Sequence, residues 1–408
     1  MKALLSPLLS LVAMGLFLSG AVIADVNSSK KVSVSGVSSG AYMAVQLQVA
    51  YSETFMGVGS VAGGPYFCAE NMTDITAIKL KCMGGAAIVP DNYEPYRDKA
   101  IQLSKDGKID DVSNLKQTKV FIFNSATDQV INPGLGYLSV LFFQYFSANP
   151  SSNVLAWNAI PGYFDYAIAH GLPTKLEKFD AYIDYADQGT PCAPANSQNY
   201  PWFPNELYRG NDPWLYHCPY PNEYTPVKGG YSMAQDILGH IYGNIKDAVE
   251  PSGEITSYEQ LQFVDNPEIK TVDDLHKHGI GETLYVYTPS VCKSNPDQCD
   301  KLHVALHGCQ QFPEWTFTGK VGSPKAGEKI QFDDLFYNGP FNGVAEANGI
   351  IVLYPQAYNI GTGQDDINPY GCWEFWPFYE EDKENYYTQE GTEMRMIKAM
   401  VDHFSSGD

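Results

Sequence analysis

Short apolar runs alternate along the chain with longer segments of helix-forming residues. The near-continuous apolar runs 119–123 and 302–306 are typical of strands buried on both faces of a mostly parallel sheet. Further strands are predicted at the segment beginning with Lys31 and at 154–160, 283–288 and 349–354. Helices are predicted at 41–51, 135–147, 231–242 and 392–404. This alternation predicts the α/β class, with a mostly parallel central sheet flanked by helices.

Two segments depart from the alternation. Residues 171–230 are rich in Tyr, Pro, Asn and Trp and contain Cys192 and Cys218, so we interpret them as a long excursion held by disulfide chemistry. Residues 244–280 are polar and irregular, and we interpret them as a linker between two halves of one domain, which spans 25–408.

The N-terminus predicts export. Lys2 precedes a largely apolar run over 3–23, and the small-residue pattern ending at Ala24 predicts cleavage there, with 1–24 as signal peptide. The run is also long enough to be an uncleaved membrane anchor, but its proline and glycines favour cleavage. The mature chain is expected to be secreted, extracellular and free of the membrane.

Cysteine usage agrees with an oxidising compartment. Eight cysteines remain after cleavage, and an even number predicts four disulfides with 105 possible pairings. They are Cys68, Cys82, Cys192, Cys218, Cys292, Cys299, Cys309 and Cys372. The chain has no CxxC, which argues against a zinc ribbon or a redox motif.

Charge and aromatic content narrow the class of partner. With 26 Lys and Arg against 47 Asp and Glu, the net charge of −21 argues against nucleic acid and anionic membranes. The 28 Tyr and 6 Trp suit a neutral, partly apolar ligand.

A candidate nucleophile lies in Gly36-Val37-Ser38-Ser39-Gly40, which fits G-x-S-x-G. In this elbow the serine occupies a strained turn between strand and helix, and the glycines avoid clashes there. The motif also arises by chance in Gly-rich chains, and an ordinary Gly/Ser loop is the alternative. The strand before it and the helix after it favour Ser38 as the nucleophile.

The partners of Ser38 are expected in the order acid, then histidine. Asp128 follows the strand 119–123, although Asp is also common as a turn or helix-capping residue. His170 follows the strand 154–160 and is the candidate base. The other seven histidines lie in less suitable positions.

A candidate oxyanion hole follows the strand 302–306. His307-Gly308-Cys309 resembles the HG-type loops that supply one backbone N–H, and the residue after the nucleophile, Ser39, supplies the other. Cys309 could equally be only a half-cystine, but both roles are compatible because the hole uses its backbone.

The order of these parts is rotated. A nucleophile elbow usually follows several strands, yet only about ten mature residues precede Ser38, and the oxyanion loop comes late. A circular permutation would explain this, since domain termini are often close together at the surface.

Several motifs together resemble the single-domain, circularly permuted polyhydroxybutyrate depolymerases of the α/β-hydrolase superfamily. They are 35–44, Ala62-Gly63-Gly64-Pro65-Tyr66, 302–310, Leu353-Tyr354-Pro355-Gln356-Ala357 and Gly371-Cys372-Trp373. The similarity covers roughly 32–175 and 283–400.

This resemblance implies the same triad, Ser38, Asp128 and His170, the same oxyanion donors, Ser39 and Cys309, and a Trp373 that lines a polymer-binding crevice. An exposed indole could stack there on a neutral polyester, and the alternative is a core Trp373 beside the Cys372 bridge. It also implies four disulfides: Cys68–Cys82, Cys192–Cys218, Cys292–Cys299 and Cys309–Cys372. The chain departs from the family where Trp373-Glu374 is followed by Phe375-Trp376, and in 171–230 and 313–340.

These observations predict a monomeric, secreted serine esterase that cleaves polyhydroxybutyrate-type polyesters through an acyl-enzyme, without a metal or organic cofactor. Two alternatives remain: a carboxylesterase acting on acetyl or feruloyl esters of the plant wall, and a catalytically inactive protein that binds a polymer through its aromatic surface.

Overall fold

The computed structural model describes residues 30–84, 92–125, 128, 130–157, 170–173, 215–216, 232–318, 329–332, 336–361, 367–379 and 382–406. Its strands are β1 (Lys31–Val37), β2 (Phe55–Val61), β3 (Lys119–Phe123), β4 (Val154–Trp157), β5 (Leu172–Pro173), β6 (Leu215–Tyr216), β7 (Glu254–Glu259), β8 (Thr283–Thr288), β9 (Lys301–Leu306), β10 (Thr316–Thr318), β11 (Lys329–Gln331) and β12 (Ile350–Tyr354). Its α-helices are α1 (Ser39–Ala50), α2 (Ile75–Cys82), α3 (Glu94–Lys105), α4 (Pro133–Phe146), α5 (Pro150–Asn153), α6 (Met233–Tyr242), α7 (Val272–Lys277), α8 (Ser290–Ser294), α9 (Asn342–Asn348) and α10 (Thr392–Ser405). The α/β class expected from the sequence is confirmed.

The central sheet has the strand order β4-β3-β2-β1-β9-β12-β8-β7. The first six strands in this order are parallel to their neighbours, and β8 and β7 pair antiparallel. The first strand of the chain lies in the middle, where Val34 is opposite Val58 on one side and Val304 on the other. A rotated element order predicts this central position, and the circular permutation itself stays a prediction.

Hydrophobic side chains cover both faces of this sheet. On one face, Val34 belongs to a cluster with Leu47 of α1 and Met400 of α10. On the other, a second cluster includes Ile237 of α6 and Val344 of α9. Because both faces are covered, β3 and β12 carry near-continuous apolar runs that the sequence reveals. Strand β2 is equally buried, but its run is broken by Gly and Ser and it is not among the predicted strands.

The interpretation of 244–280 as an irregular linker is wrong. Residues 254–259 form β7, which pairs with β8 along its whole length at the edge of the sheet, and 272–277 form α7. The segment looked irregular because an edge strand keeps both faces partly in water, so Glu254, Ser257 and Glu259 are exposed and no apolar run forms.

Three of the four expected disulfides are present among the described residues. Cys68–Cys82, Cys292–Cys299 and Cys309–Cys372 have Cα–Cα distances of 5.8, 5.6 and 4.2 Å. Cys192 and Cys218 lie outside the described residues, as do the expected signal peptide 1–24, the last part of the predicted strand 154–160, and most of the excursion 171–230. Within the described ranges, no helix combines the length and the apolar character needed to cross a membrane.

Candidate active site

Ser38 lies at the sharp turn between β1 and α1. Its backbone has φ 56° and ψ −121°, a conformation that costs free energy for a residue with a side chain and that is typical of functional turns. The turn is tight because a Cβ on Gly36 would come within 2.2 Å of the Gly40 backbone, and one on Gly40 within 2.3 Å of the His307 carbonyl oxygen. The two glycines of the motif are therefore required by packing, as the sequence predicts.

Asp128 and His170 form a buried pair. His170 Nδ1 lies 2.8 Å from Asp128 Oδ2, and the two residues are only 4% and 8% exposed. The other carboxylate oxygen, Oδ1, accepts hydrogen bonds of 2.8 Å from the backbone N–H groups of Val130 and Ile131. Asp128 thus organises the turn and contacts His170 as well, so the two interpretations of this residue are compatible, and its role in catalysis stays a prediction.

These residues follow neighbouring parallel strands at one edge of the sheet. Ser38 directly follows β1, Asp128 comes after β3, and His170 comes after β4, with 158–169 outside the described residues. The strand ends are connected, because the Ser38 N–H donates to Val61 O at 2.9 Å and the Ala62 N–H donates to Phe123 O at 2.8 Å. The carboxyl edge of such sheets is where α/β proteins usually place their sites.

The expected oxyanion loop approaches Ser38 from the other side of β1. A Cβ on Gly308 would lie 3.1 Å from Ser38 Cβ, so the turn after β9 is in direct proximity to the elbow. The loop is fastened through the Cys309–Cys372 disulfide, and the next residue, Trp373, donates its backbone N–H to Ser39 Oγ at 3.2 Å. The structure therefore brings Ser39 and Cys309 to neighbouring positions around Ser38.

The side chains of Gln311 and His307 hold this loop, and the sequence alone does not predict that role for either residue. The Gly308 N–H donates to Gln311 Oε1 at 2.6 Å. His307 is fully buried and contacts the Gly308 carbonyl oxygen at 2.7 Å through Nδ1 and the Ala357 N–H at 3.0 Å through Nε2. Burial lowers the pKa of His307 to about 4. The only sequence signal is position: His307 belongs to the His-Gly pair, and Gln311 lies three residues after Gly308.

Trp373 differs from the expectation of an exposed indole. Its side chain is 0% exposed and belongs to the main hydrophobic core, and its ring packs against the His307 ring with centroids 5.5 Å apart. The exposure expected from the family resemblance is therefore wrong for this structure, and the alternative role in the core is favoured. The indole lies next to the Cys309–Cys372 bridge, and the backbone N–H of Trp373 is held by Ser39 Oγ.

Buried carboxyl groups lie directly after Trp373. Glu374 donates its backbone N–H to Glu393 Oε2 at 2.9 Å and accepts the Phe378 N–H at 2.9 Å through its own Oε1. Asp382 accepts the Thr392 N–H at 3.1 Å at the start of α10. Burial, with Asp382 nearby, raises the pKa of both Glu374 and Glu393 above the ordinary glutamate value. No set of side chains in the described ranges is grouped to hold a metal ion.

Sequence comparisons identify relatives along nearly the whole chain. No family model matches it. A poly(3-hydroxybutyrate) depolymerase of Delftia acidovorans is 30% identical over 405 residues, covering 97% of this chain, and the chain spans 65% of the length of that relative. A polyhydroxybutyrate depolymerase of Talaromyces funiculosus is 28% identical over 385 residues, covering 92% of this chain and 90% of the relative.

Solved structures give the same result. The PHB depolymerase of Penicillium funiculosum matches with a TM-score of 0.62 at 26% identity over 93% of this chain and 96% of its own. A serine-to-alanine variant of a PHB depolymerase, complexed with an R3HB trimer, matches with a TM-score of 0.60 at 25% identity over the same shares. The resemblance expected from the motifs is confirmed: the chain is a relative of the polyhydroxybutyrate depolymerases and has the α/β-hydrolase fold.

Proposed function

We propose that this relative of the polyhydroxybutyrate depolymerases is a secreted serine esterase that hydrolyses polyesters of short hydroxy acids. Ser38 is the nucleophile, His170 the base, and Asp128 the residue that orients the base. The backbone N–H groups of Ser39 and Cys309 hold the oxyanion. The observation that carries the proposal is the buried Asp128–His170 pair, found at the same edge of the sheet as the strained Ser38 turn.

The pair fixes the state of the imidazole. An ionised carboxylate can only accept a hydrogen bond, so the proton on the His170 ring lies on Nδ1 and the lone pair on Nε2. Nε2 can therefore take the Ser38 hydroxyl proton as Oγ attacks the ester carbonyl, and later return it to the departing alcohol. Water then repeats the sequence on the acyl-enzyme and releases the hydroxy acid.

The two proposed oxyanion donors are suitable because neither depends on a mobile side chain. The Ser39 N–H belongs to the first residue of α1, and the dipole of a helix N-terminus favours negative charge there. Cys309 is fastened by its disulfide. Fixed backbone donors stabilise the developing charge without reorganisation, which is the largest single contribution in many acyl-transfer enzymes.

A polyester substrate is supported by the relatives and by the chain's charge. Both sequence relatives bear polyhydroxybutyrate depolymerase names, and one structural relative is complexed with an R3HB trimer. A polyester is neutral, so the net charge of −21 does not oppose its binding. Secretion is supported by the apolar N-terminal segment and by the three disulfides within the described residues.

Two assays test the proposal in sequence. A fluorophosphonate probe should label the purified wild-type protein at Ser38, and absence of labelling would favour the inactive polymer-binding alternative. Unlabelled protein from the same preparation should then clear a polyhydroxybutyrate suspension, and prior labelling with the probe should abolish the clearing. Labelling with hydrolysis of acetyl or feruloyl esters, but no clearing, would establish the plant-wall esterase instead.

A further inference from the structure

The peptide that joins Gly308 to Cys309 is held by the side chain that precedes it. His307 Nδ1 lies 2.7 Å from the Gly308 carbonyl oxygen, and its Nε2 lies 3.0 Å from the backbone nitrogen of Ala357, just beyond β12. The ring is fully buried. It therefore connects the loop after β9 to the loop after the neighbouring strand.

The direction of both hydrogen bonds follows from the backbone partners. An amide N–H can only donate, so Nε2 of His307 accepts from Ala357 and carries no proton. In a neutral imidazole the proton then lies on Nδ1, which donates to the Gly308 carbonyl oxygen. Because burial lowers the pKa of His307 to about 4, the ring stays neutral in neutral solution.

Holding the Gly308 carbonyl also orients the Cys309 N–H. The carbonyl and the N–H of one peptide lie in a single plane and point in opposite directions, so fixing the oxygen fixes the line of the donor. The N–H of Gly308 itself is held separately, by Gln311 Oε1 at 2.6 Å. The loop is thus fixed at two successive peptides, next to Ser38.

The anchor for His307 is itself rigid. The Gln356 N–H, one residue before Ala357, donates to Gln260 Oε1 at 2.9 Å, and Gln260 Nε2 donates to the Gln356 carbonyl at 2.8 Å. The ring also packs against the buried Trp373, with centroids 5.5 Å apart. Trp373 therefore contacts the ring that holds the loop and not solvent.

We propose that His307 is a positioning residue for the oxyanion hole, and that its Nδ1–H sets the direction in which the Cys309 N–H points. The inference rests on the proposed function, because it needs Cys309 to be an oxyanion donor. Fixed direction matters at this position, since donors act through their alignment with the charge that develops in the transition state.

Two substitutions separate the two hydrogen bonds of the ring. His307→Asn places an amide nitrogen two bonds beyond Cβ, at the position of Nδ1, and keeps the donor to Gly308. His307→Gln reaches one bond further, to the position of Nε2, and keeps the acceptor for Ala357 but loses the donor. Each variant loses one hydrogen bond and part of the buried ring, so a purely structural role would affect both alike.

The measured quantities are kcat and KM for nitrophenyl butyrate and the affinity for an alkylboronic acid, which forms a tetrahedral anion on the serine. We expect His307→Gln to lose about 10²-fold or more in kcat, the loss typical of a removed oxyanion donor, with KM nearly unchanged. We expect His307→Asn to retain kcat within about tenfold, with boronate affinities following kcat. Equal losses in the two variants, or losses in KM alone, would overturn the inference.

His303 provides a matched control on β9, the strand that directly precedes His307. It is also fully buried and bonded at both ring nitrogens, to Ser33 Oγ at 2.7 Å and Ser35 Oγ at 2.8 Å. His303→Asn and His303→Gln should both lower the melting temperature, but the two variants should have similar kcat values. A difference as large as that at His307 would overturn the assignment.

A measurement on the wild-type protein needs no variant to fold. In the protein labelled with ¹⁵N-histidine, the nitrogen shifts of His307 near neutral pH should show the proton on Nδ1. A proton on Nε2 would overturn the inference even if the variants are unstable. If the wild type neither reacts with the fluorophosphonate probe nor hydrolyses the ester, the proposed function itself fails. If the wild type is active but His307→Asn and His307→Gln lose equal activity, only the role of His307 fails.

Discussion

The nucleophile side of the candidate site, formed by Ser38, Asp128 and His170, contrasts with the oxyanion side, formed by 307–311 and 372–374. On the nucleophile side the proposed reacting groups are side chains, and the backbone supports them, since Asp128 Oδ1 accepts two backbone N–H groups. On the oxyanion side the proposed stabilising group is a backbone N–H, and it is supported by side chains. Two of these side chains, His307 and Trp373, are fully buried.

This difference decides what a substitution does on each side. Replacing a reacting side chain removes chemistry and leaves most of the packing, because Ser38 and Asp128 are small and lie at the rim of the sheet. Replacing a supporting side chain first lowers stability through lost packing. It changes the rate of hydrolysis only by shifting the loop that the side chain holds. We therefore expect large effects on rate from the nucleophile side, and combined effects on stability and rate from the oxyanion side.

The largest effect is expected for Ser38→Ala. Removing the nucleophile of a triad typically costs on the order of 10⁶ in kcat, while the loss of one hydroxyl should leave the melting temperature nearly unchanged. Ester hydrolysis and fluorophosphonate labelling of the purified variant measure this. Ser60→Ala is a matched control on the neighbouring strand β2, since its buried hydroxyl has no hydrogen-bond partner within the described part of the chain. Residual activity of a few per cent in Ser38→Ala would contradict the assignment.

Asp128→Asn should have the next largest effect. The amide oxygen can still accept the Val130 and Ile131 N–H groups, but the amide nitrogen then faces His170 Nδ1 and donates to it. The ring proton would move to Nε2, where the lone pair is needed, and the rate should fall by roughly 10⁴. Steady-state kinetics and a melting curve measure both properties. A rate within tenfold of wild type would show that Asp128 is only a turn residue.

The sequence predicts β3 and β12 because they are near-continuous apolar runs, and it predicts the elbow because its two glycines are needed for a steric reason that the structure shows at Gly36 and Gly40. Strand β2 was missed although it lies beside β1 in the sheet, because its Gly and Ser residues interrupt the apolar run. Asp128 and His170 could be placed by strand order alone. Their hydrogen bond joins residues 42 positions apart, and only the fold could show it.

The oxyanion side was predicted less completely, because its support is tertiary. His307 acts with Ala357, 50 positions later, and no local pattern marks that contact. The expectation of an exposed Trp373 came from the family resemblance, and the sequence alone could not decide, since an aromatic residue after a cysteine looks the same in a crevice and in a core. Strand β7 was missed for a related reason: an edge strand exposed on both faces has no periodic apolar pattern.

Trp373→Ala should reduce stability and all activities together. A fully buried Trp changed to Ala typically costs about 3–5 kcal/mol of unfolding free energy, and here it also removes the surface against which His307 packs. Denaturant unfolding, polymer clearing and nitrophenyl butyrate hydrolysis measure the effect. Selective loss of polymer clearing, with the soluble-ester rate and the stability preserved, would return Trp373 to the substrate-binding surface.

Removing the Cys309–Cys372 disulfide by a double change to Ala should cost about 2–4 kcal/mol and lower kcat in addition. The matched control is the same double change at Cys292 and Cys299. That pair closes a separation of 7 residues rather than 63, and in the chain-entropy model it should stabilise less. It also lies away from the loop after β9, so kcat should remain unchanged. If both pairs changed kcat equally, the oxyanion side would not depend on its own bridge.

The smallest effect is expected from pH, and it has its origin in the buried carboxyl groups after Trp373. Burial raises the pKa of Glu374 and Glu393 above the ordinary value of 4.5, so folding favours their protonated forms. A carboxyl group whose pKa is raised by folding contributes stability that is fully present below its pKa in the unfolded chain. This contribution is lost as pH rises through the elevated pKa of the folded state. The free energy of unfolding should therefore fall from about pH 4.5 up to the elevated value, which for Glu393 is about 8, by at most about 1.4 kcal/mol per pH unit for each proton concerned.

Glu393→Gln, which cannot ionise and can still accept the Glu374 N–H, should flatten this slope in urea unfolding between the ordinary glutamate pKa of 4.5 and about 8. Glu390→Gln is the control, because Glu390 forms an exposed ion pair with Lys108, and its slope over the same pH range should equal that of wild type. An unchanged slope in Glu393→Gln would contradict the prediction, because it would show that folding does not favour the protonated form of Glu393.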